Sequence, residues 1–213
     1  MNVFISKEGF LIPTDEPQAW LEESKELANK GNRQKAKELA VKALSWYQTS
    51  AAKVADENGE ITCCVGEANC LWHLGVIHTQ HNEWREAERE FKNAAEVYRR
   101  IDHLQDNCDN VLSEFNALEA ECDVLNNLTI VYGHLGKYKE SLSLCRSLMQ
   151  YYKKTGNKEK QVASMKTAAM GLLSLDQDDE ALDMLEQALK IAGQTGDRKL
   201  EDTVRNIIDT YYE

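Results

Sequence analysis

Histidine and cysteine are the residue types in this sequence whose spacing could support chemistry. One short stretch contains Cys63, Cys70, His73 and His78 on a single predicted helix. Thiolates and imidazoles are zinc ligands, so this stretch could begin a metal site if His134 or Cys122 approached from a neighbouring helix. The alternative is that the cysteines are buried, because a free cysteine packs as a small hydrophobic side chain. Structural zinc sites usually pair their ligands more tightly, and we predict no metal ligand.

A catalytic site has little support in the sequence. His81, Asn82 and Glu83 have the H-x-E order of zinc deaminases, but the P-C-x-x-C segment that completes such a site is missing. The motifs G-x-S-x-G and H-E-x-x-H and a phosphate-binding glycine loop are also missing. We therefore predict a protein that is not an enzyme, with no catalytic residue and no cofactor.

Charge and hydropathy narrow the class of partner. The 213 residues include 36 acidic and 25 basic ones, and the net charge of −11 disfavours nucleic acid and anionic membranes as partners. No apolar run reaches the ~18 residues that a bilayer requires. Lys7 and Glu8 interrupt the apolar N-terminus, so we expect no signal peptide. The six cysteines form no C-x-x-C pair, which indicates reduced thiols in a cytoplasmic protein.

Proline content and apolar periodicity predict a helical chain. Pro13 and Pro17 are the only prolines, and apolar residues recur at steps of three and four after the first fifteen residues. Short polar turns, most of them with glycine, asparagine or aspartate, separate the periodic segments. The predicted helices span residues 15–30, 33–56, 60–80, 83–104, 110–135, 137–155, 158–175, 178–194 and 198–212.

An internal repeat relates these helices to one another. Segments 154–158 (KTGNK) and 194–198 (QTGDR) lie 40 residues apart, and each joins two predicted helices. A small residue follows an acidic or basic residue near the start of four helices, at Ala36, Ala87, Ser141 and Ala181. These anchors are 51, 54 and 40 residues apart, so the chain contains four related helix pairs.

The pattern resembles the tetratricopeptide repeat (TPR) family, whose signature is W-x2-L-G-x2-Y in one helix and A-x3-F followed by A in the next. In the second repeat the matching residues are Leu71, Leu74, Gly75, His78, Ala87, Phe91 and Ala94. In the third they are Leu125, Leu128, Thr129, Tyr132, Ser141, Cys145 and Leu148. In the fourth they are Met165, Ala168, Ala169, Leu172, Ala181, Leu185 and Ala188. The first repeat has Trp20, Ser24, Leu27, Ala36, Ala40 and Ala43, and Glu23 replaces a large apolar residue there.

The resemblance implies an all-α fold, a right-handed superhelix of antiparallel helix hairpins (a TPR-like α-solenoid) with about nine helices. An N-terminal tail (1–14) would precede one helical repeat domain (15–213). Its repeats would span about 17–59, 60–109, 110–156 and 157–196, before a capping helix at 197–213. Because these repeats exceed the usual length of about 34 residues and lack the closing proline, we expect lengthened hairpins.

In TPR arrays the first helix of each pair lines a concave wall, and helical phase assigns the residues that face it. These predicted groove residues are Asn69, Trp72, Val76, Asn126, Asn127, Ile130, His134, Lys166 and Met170. The asparagines could bond a peptide backbone, while Trp72 and Met170 could hold apolar side chains. The alternative for Trp72, Val76 and Ile130 is core packing against a neighbouring helix.

The charge pattern predicts which peptide such a wall would attract. No lysine or arginine occurs between Lys53 and Arg85 or between Arg100 and Lys137, and each stretch holds the first helix of a repeat. A neutral to acidic wall would attract a basic or mixed peptide. The alternative is an acidic surface that only keeps the protein soluble. Lys166 is the one basic residue in the groove set besides histidine, so the sequence does not favour capture of an acidic C-terminal tail.

We predict a protein-protein interaction module, an adaptor, scaffold or assembly factor, that binds a peptide or helix of another protein in the concave groove. One alternative is a structural subunit of a larger complex, assembled through helix edges and an apolar strip on the last helix. That strip comprises Ile207, Ile208, Tyr211 and Tyr212. Another alternative is an enzyme whose site uses the scattered histidines His73, His78 and His134. The sequence does not determine the oligomeric state.

Overall fold

A computed structural model of the chain describes residues 3–5, 7–8, 11–13, 15–105 and 115–212. These ranges contain nine α-helices. They are α1 (Asp15–Asn29), α2 (Arg33–Ala51), α3 (Glu57–Gln80), α4 (Trp84–Gln105), α5 (Ala117–His134), α6 (Tyr138–Thr155), α7 (Lys158–Leu173), α8 (Asp178–Gly193) and α9 (Arg198–Tyr212). The predicted helical fold with about nine helices is therefore confirmed for the described residues. Within the same ranges, no helix is long and apolar enough to cross a membrane.

Among the described residues, the largest difference from the predicted helix bounds lies between α2 and α3. The sequence predicts one helix to residue 56 and the next from residue 60, but α2 ends at Ala51 and α3 begins at Glu57. Asp56 has an extended backbone, and its carboxylate accepts a hydrogen bond of 2.7 Å from the backbone N–H of Gly59. This N-cap starts α3 early because it satisfies a backbone donor of the first turn. The sequence predicts that the fifth helix starts at residue 110, but α5 begins at Ala117: residues 115–116 are not helical, and residues 110–114 lie outside the described part of the chain.

Two short strands precede the helices and were not predicted. Strands β1 (Val3–Ile5) and β2 (Leu11–Pro13) pair in antiparallel register, with Val3 opposite Pro13. Between the strands, the backbone N–H of Lys7 donates to the carbonyl of Lys53 at 2.7 Å. This contact ties the segment to the chain that follows α2, so the described part of the predicted tail is structured.

The helices pack as consecutive hairpins within two compact units, Met1–Val124 and Leu125–Glu213. The N-terminal unit contains α1 to α4 and the first part of α5. The C-terminal unit contains the rest of α5 and α6 to α9, with a core that includes Cys145, Val162, Leu172, Leu185 and Val204. The four predicted repeats and the single domain at 15–213 stay predictions.

Close contact between paired helices depends on small residues. The four repeat anchors are buried: Ala36, Ala87, Ser141 and Ala181. A Cβ atom on Gly75 of α3 would lie 2.5 Å from the ring of Phe91 on α4. A Cβ atom on Gly66 would likewise lie 2.2 Å from the ring of Tyr47 on α2. These glycines therefore let aromatic rings of the neighbouring helices pack directly on the backbone of α3.

Candidate functional site

Three of the predicted groove residues lie on α3 in the N-terminal unit. Trp72 is 38% exposed and therefore is not a core residue, whereas Val76 and Asn69 are half-buried. The Asn69 side-chain carbonyl accepts a hydrogen bond of 2.7 Å from the hydroxyl of Tyr98. Asn69 thus contributes to packing between α3 and α4, and Trp72 presents the largest exposed apolar surface of the three.

The other six predicted residues lie in the C-terminal unit, where four of them line one cavity. This cavity, which we call the C-terminal cavity, has a volume of about 430 Å³. Its predicted members are Ile130 and His134 of α5 and Lys166 and Met170 of α7. Ile130 is 47% exposed and Met170 is 39% exposed, so their apolar surfaces are accessible to a partner. The half-buried residues Asn126 and Asn127 are not among the described residues that line the cavity.

Sequence reasoning missed residues that other helices contribute to this cavity. Tyr138 of α6, Ser174 after α7 and Ile207 of α9 all line it. The sequence signal for Ile207 was its apolar periodicity, which led to the prediction of an exposed strip on α9. Ile207 and Ile208 are in fact half-buried and pack against the core of the C-terminal unit. That prediction is therefore wrong for both isoleucines, because α8 and α9 pack together and cover most of their surface.

Only one side chain of the predicted strip is shown to be exposed. Tyr211 is 51% exposed. The side chain of Tyr212 lies outside the described part of the structure. The structural-subunit alternative therefore keeps a single described aromatic anchor on α9.

Acidic residues of the predicted wall are partly neutralised by arginines of α4. Glu67 on α3 accepts from Arg100 at 3.0 Å, and Glu121 on α5 accepts from Arg99 at 2.5 Å. The first of these pairs lies beside a cavity of about 740 Å³ in the N-terminal unit. Because the cavity's arginines already pair with carboxylates, its charge does not point to a particular ligand. The described residues that line the C-terminal cavity include no aspartate or glutamate, which differs from the acidic wall predicted from the sequence.

The candidate metal ligands have other roles in the structure. Among the described residues, no group of three or more histidine, cysteine, aspartate and glutamate side chains is arranged to hold a metal ion. The described cysteines, at 63, 64, 70, 122 and 145, are free and buried, and Cys108 lies outside the described residues. Burial raises the pKa of Cys63 and of Cys70 to about 12, which keeps both as thiols at neutral pH. The prediction of buried thiols is confirmed for these five cysteines.

His73 is a buried structural residue. Its Nε2 atom lies 2.9 Å from the hydroxyl oxygen of Ser24 on α1. The Ser24 hydroxyl donates to the carbonyl of Ala36 on α2 at 2.6 Å, so Nε2–H of His73 is the donor to Ser24. Burial lowers the pKa of His73, which favours the neutral ring. This chain of hydrogen bonds connects α1, α2 and α3, and it leaves the serine without a base that could activate it.

Glu83 of the H-x-E segment forms an ion-pair cluster at the end of α3, with His78 in place of the His81 of the motif. Glu83 pairs with Arg33 of α2, and its Oε2 atom lies 2.6 Å from Nδ1 of His78 and 3.9 Å from Nζ of Lys37. The hydrogen bonds from Arg33 and His78 lower the pKa of Glu83 from 4.5 to about 2. Glu83 therefore connects α2 to the turn between α3 and α4.

Replacing Glu83 by glutamine is expected to destabilise the protein in a pH-dependent way. The folded-state pKa is depressed, so the contribution of Glu83 is fully present above about pH 4.5 and is lost as the pH falls towards 2. Urea unfolding should therefore show the largest difference between wild type and Glu83→Gln at pH 7, and a smaller one at pH 3. A control is Glu23→Gln, because that exposed carboxylate lies 3.8 Å from Lys35 and should contribute little at either pH. An equal effect of Glu83→Gln at both pH values would contradict the ion-pair role.

Two family models match this sequence. Both are described as tetratricopeptide repeat, and they match residues 68–101 and 121–194, together about half of the chain. Compared with curated protein sequences, the chain has no significant match. TPR helices generally form a non-catalytic fold for binding other proteins, so the matches support a protein-interaction module.

Solved structures with a similar fold include three that match most of this chain. The apo form of RapI has a TM-score of 0.74 at 12% identity, over 93% of this chain and 64% of that one. BtubC from P. vanneervenii has a TM-score of 0.66 at 15% identity, over 85% of this chain and 65% of BtubC. The third is a Rap conjugation gene regulator of the plasmid pLS20, solved in complex with the Phr* peptide. Its TM-score is 0.58 at 14% identity, over 92% of this chain and 47% of the regulator.

The chain spans less than two thirds of the length of each of these three proteins. At such low identity the similarity shows a shared fold. Together with the two family models and the buried small residues of each helix pair, it leads to one conclusion. The chain belongs to the tetratricopeptide repeat family.

Proposed function

We propose that this TPR protein binds a peptide or helix of another protein in the C-terminal cavity, as an adaptor, scaffold or assembly factor without catalytic activity. The observation that carries the proposal is the exposed apolar surface of Ile130 and Met170, which line the cavity together with Ile207. Contiguous exposed apolar side chains around a concave surface are typical of protein-interaction sites. The exposed Trp72 of α3 offers a further apolar anchor in the N-terminal unit.

Other features support this type of partner. The Rap regulator of pLS20 was solved in complex with a peptide, which supports a peptide ligand for a chain of the same fold. Buried free thiols fit the cytoplasmic location that we propose. The net charge of −11 argues against nucleic acid and anionic membranes as partners.

The proposal predicts that an aspartate at position 130 reduces partner binding. In affinity capture from the native lysate, Ile130→Asp should recover at least roughly tenfold less of the partner than wild type, because it places a charge on the apolar wall. Trp72→Ala tests the second anchor in the same experiment. The matched control is Val41→Asp, since Val41 is 51% exposed on α2 and does not line the cavity.

Capture results also separate this function from the structural-subunit alternative. Partners that Ile130→Asp retains and Tyr211→Ala loses would assign binding to α9 and reject the cavity. Partners lost from Ile130→Asp and retained by Val41→Asp and Tyr211→Ala would support the cavity.

A further inference from the structure

Among the described residues that line the C-terminal cavity, Lys166 is the one that carries a full positive charge. The described residues that line the cavity include Lys166 and His134 but no aspartate or glutamate. Lys166 is half-buried, and this burial lowers its pKa because the ammonium loses part of its hydration. A partly desolvated charge is unfavourable until it acquires an acceptor of opposite charge.

Unlike several other lysines of this chain, Lys166 forms no ion pair with any described residue. Lys25 and Lys92, for example, lie 2.8 Å and 2.6 Å from glutamates of their own helices. The ammonium of Lys166 therefore retains its hydrogen-bond donors for a ligand.

The serine and threonine hydroxyl groups of the cavity lining donate to the protein itself. Each serine and threonine of the lining donates to a backbone carbonyl, at distances of 2.7 to 3.2 Å. These residues are Thr129, Ser141, Thr167 and Ser174. Their protons are therefore engaged, which leaves the Lys166 ammonium as the charged donor of this cavity. The adjoining walls are apolar and consist mainly of Ile130, Met170 and Ile207.

We propose that the C-terminal cavity recognises a protein segment in which an aspartate or glutamate side chain accompanies an apolar side chain. The carboxylate pairs with Nζ of Lys166, and the apolar side chain packs against Ile130 and Met170. This inference rests on the proposed function and makes it more specific, because charge complementarity at the cavity selects an acidic anchor. It differs from the basic peptide predicted from the sequence, because the unpaired charge at the cavity is a cation.

A peptide selection on the full chain tests this inference. Wild-type protein is immobilised and a random peptide library is displayed at the N-terminus of a phage coat protein, where no peptide has a free C-terminal carboxylate. Enriched peptides are then synthesised with amidated C-termini, and their affinities are measured by fluorescence anisotropy. In this design an acidic anchor can come only from an aspartate or glutamate side chain, because no peptide has a free C-terminal carboxylate.

We expect the enriched peptides to combine an apolar residue with an aspartate or glutamate. Changing that acid to its amide, or Lys166 to methionine, should each weaken binding about tenfold, and the two changes together should weaken it little further. Lys158→Met is the matched control, because Lys158 is an exposed lysine of the same helix that does not line the cavity. Lys166→Glu should bind peptides in which lysine replaces the acid. Circular dichroism should show native helix content for each variant.

The outcomes distinguish failure of this inference from failure of the proposed function. Peptides that lose binding on Ile130→Asp but bind Lys166→Met as tightly as wild type would overturn the acidic anchor and keep the cavity as the binding site. Peptides that bind Ile130→Asp as tightly as wild type, or the absence of any enriched peptide, would overturn the proposed function and this inference with it.

Discussion

Replacing Phe91 by alanine is expected to lower the free energy of unfolding by about 3–5 kcal/mol. The Phe91 side chain is fully buried between α4 and α3, and its ring lies directly on the backbone of α3 at Gly75. Removing the ring leaves a cavity that rigid paired helices can only partly close. Urea unfolding of both proteins, followed by circular dichroism, measures the difference.

The contact between Gly75 and the Phe91 ring also predicts how Gly75→Ala changes the stability of the protein. In the wild-type background the new Cβ would lie 2.5 Å from the Phe91 ring, so we expect the free energy of unfolding to fall by about 1–3 kcal/mol. In the Phe91→Ala background that clash is gone, so the two substitutions should not be additive. Gly133→Ala is the control, because a Cβ there would have no neighbour within 4 Å and alanine favours the helix. Equal costs of Gly75→Ala in both backgrounds would show that the ring does not determine this close approach.

The second large effect is expected at Ser24. Ser24→Ala should lower the free energy of unfolding by about 1–3 kcal/mol, because it leaves the buried Nε2–H of His73 without its acceptor. The carbonyl of Ala36 loses one donor but keeps its helical hydrogen bond within α2, so the histidine contributes most of the cost. Urea unfolding at pH 7 measures this effect.

A double substitution tests that reason for the Ser24 effect. Ser24→Ala/His73→Leu replaces both partners by apolar side chains, and it should be more stable than the sum of the two single substitutions predicts. Additive effects would instead show that the hydrogen bond between Ser24 and His73 contributes nothing specific. Ser45→Ala is a control, because Ser45 is an exposed serine of α2 and its substitution should change stability little.

Helix positions and the buried face of each repeat could be predicted from local sequence signals. Apolar periodicity and polar turns depend on neighbours within a few residues, and the resulting bounds agree closely with α4, α6, α8 and α9. The small anchors of the TPR pattern are buried, because only small side chains fit where paired helices come closest. The N-cap at Asp56 is local too, but the apolar pattern continues through it and concealed the end of α2.

Features that depend on contacts between distant segments could not be predicted in this way. The phase of α7 places Lys166 on its accessible face, but only the packed helices show that its ammonium forms no ion pair with a described residue and lines a cavity. Ile207 lies far along the chain from Ile130, and α9 must pack beside α8 before both can line one cavity. The sequence by itself thus determined the helices, their pairing and the TPR family. Tertiary structure decided the cavity and its charge, because both depend on which side chains of separate helices meet.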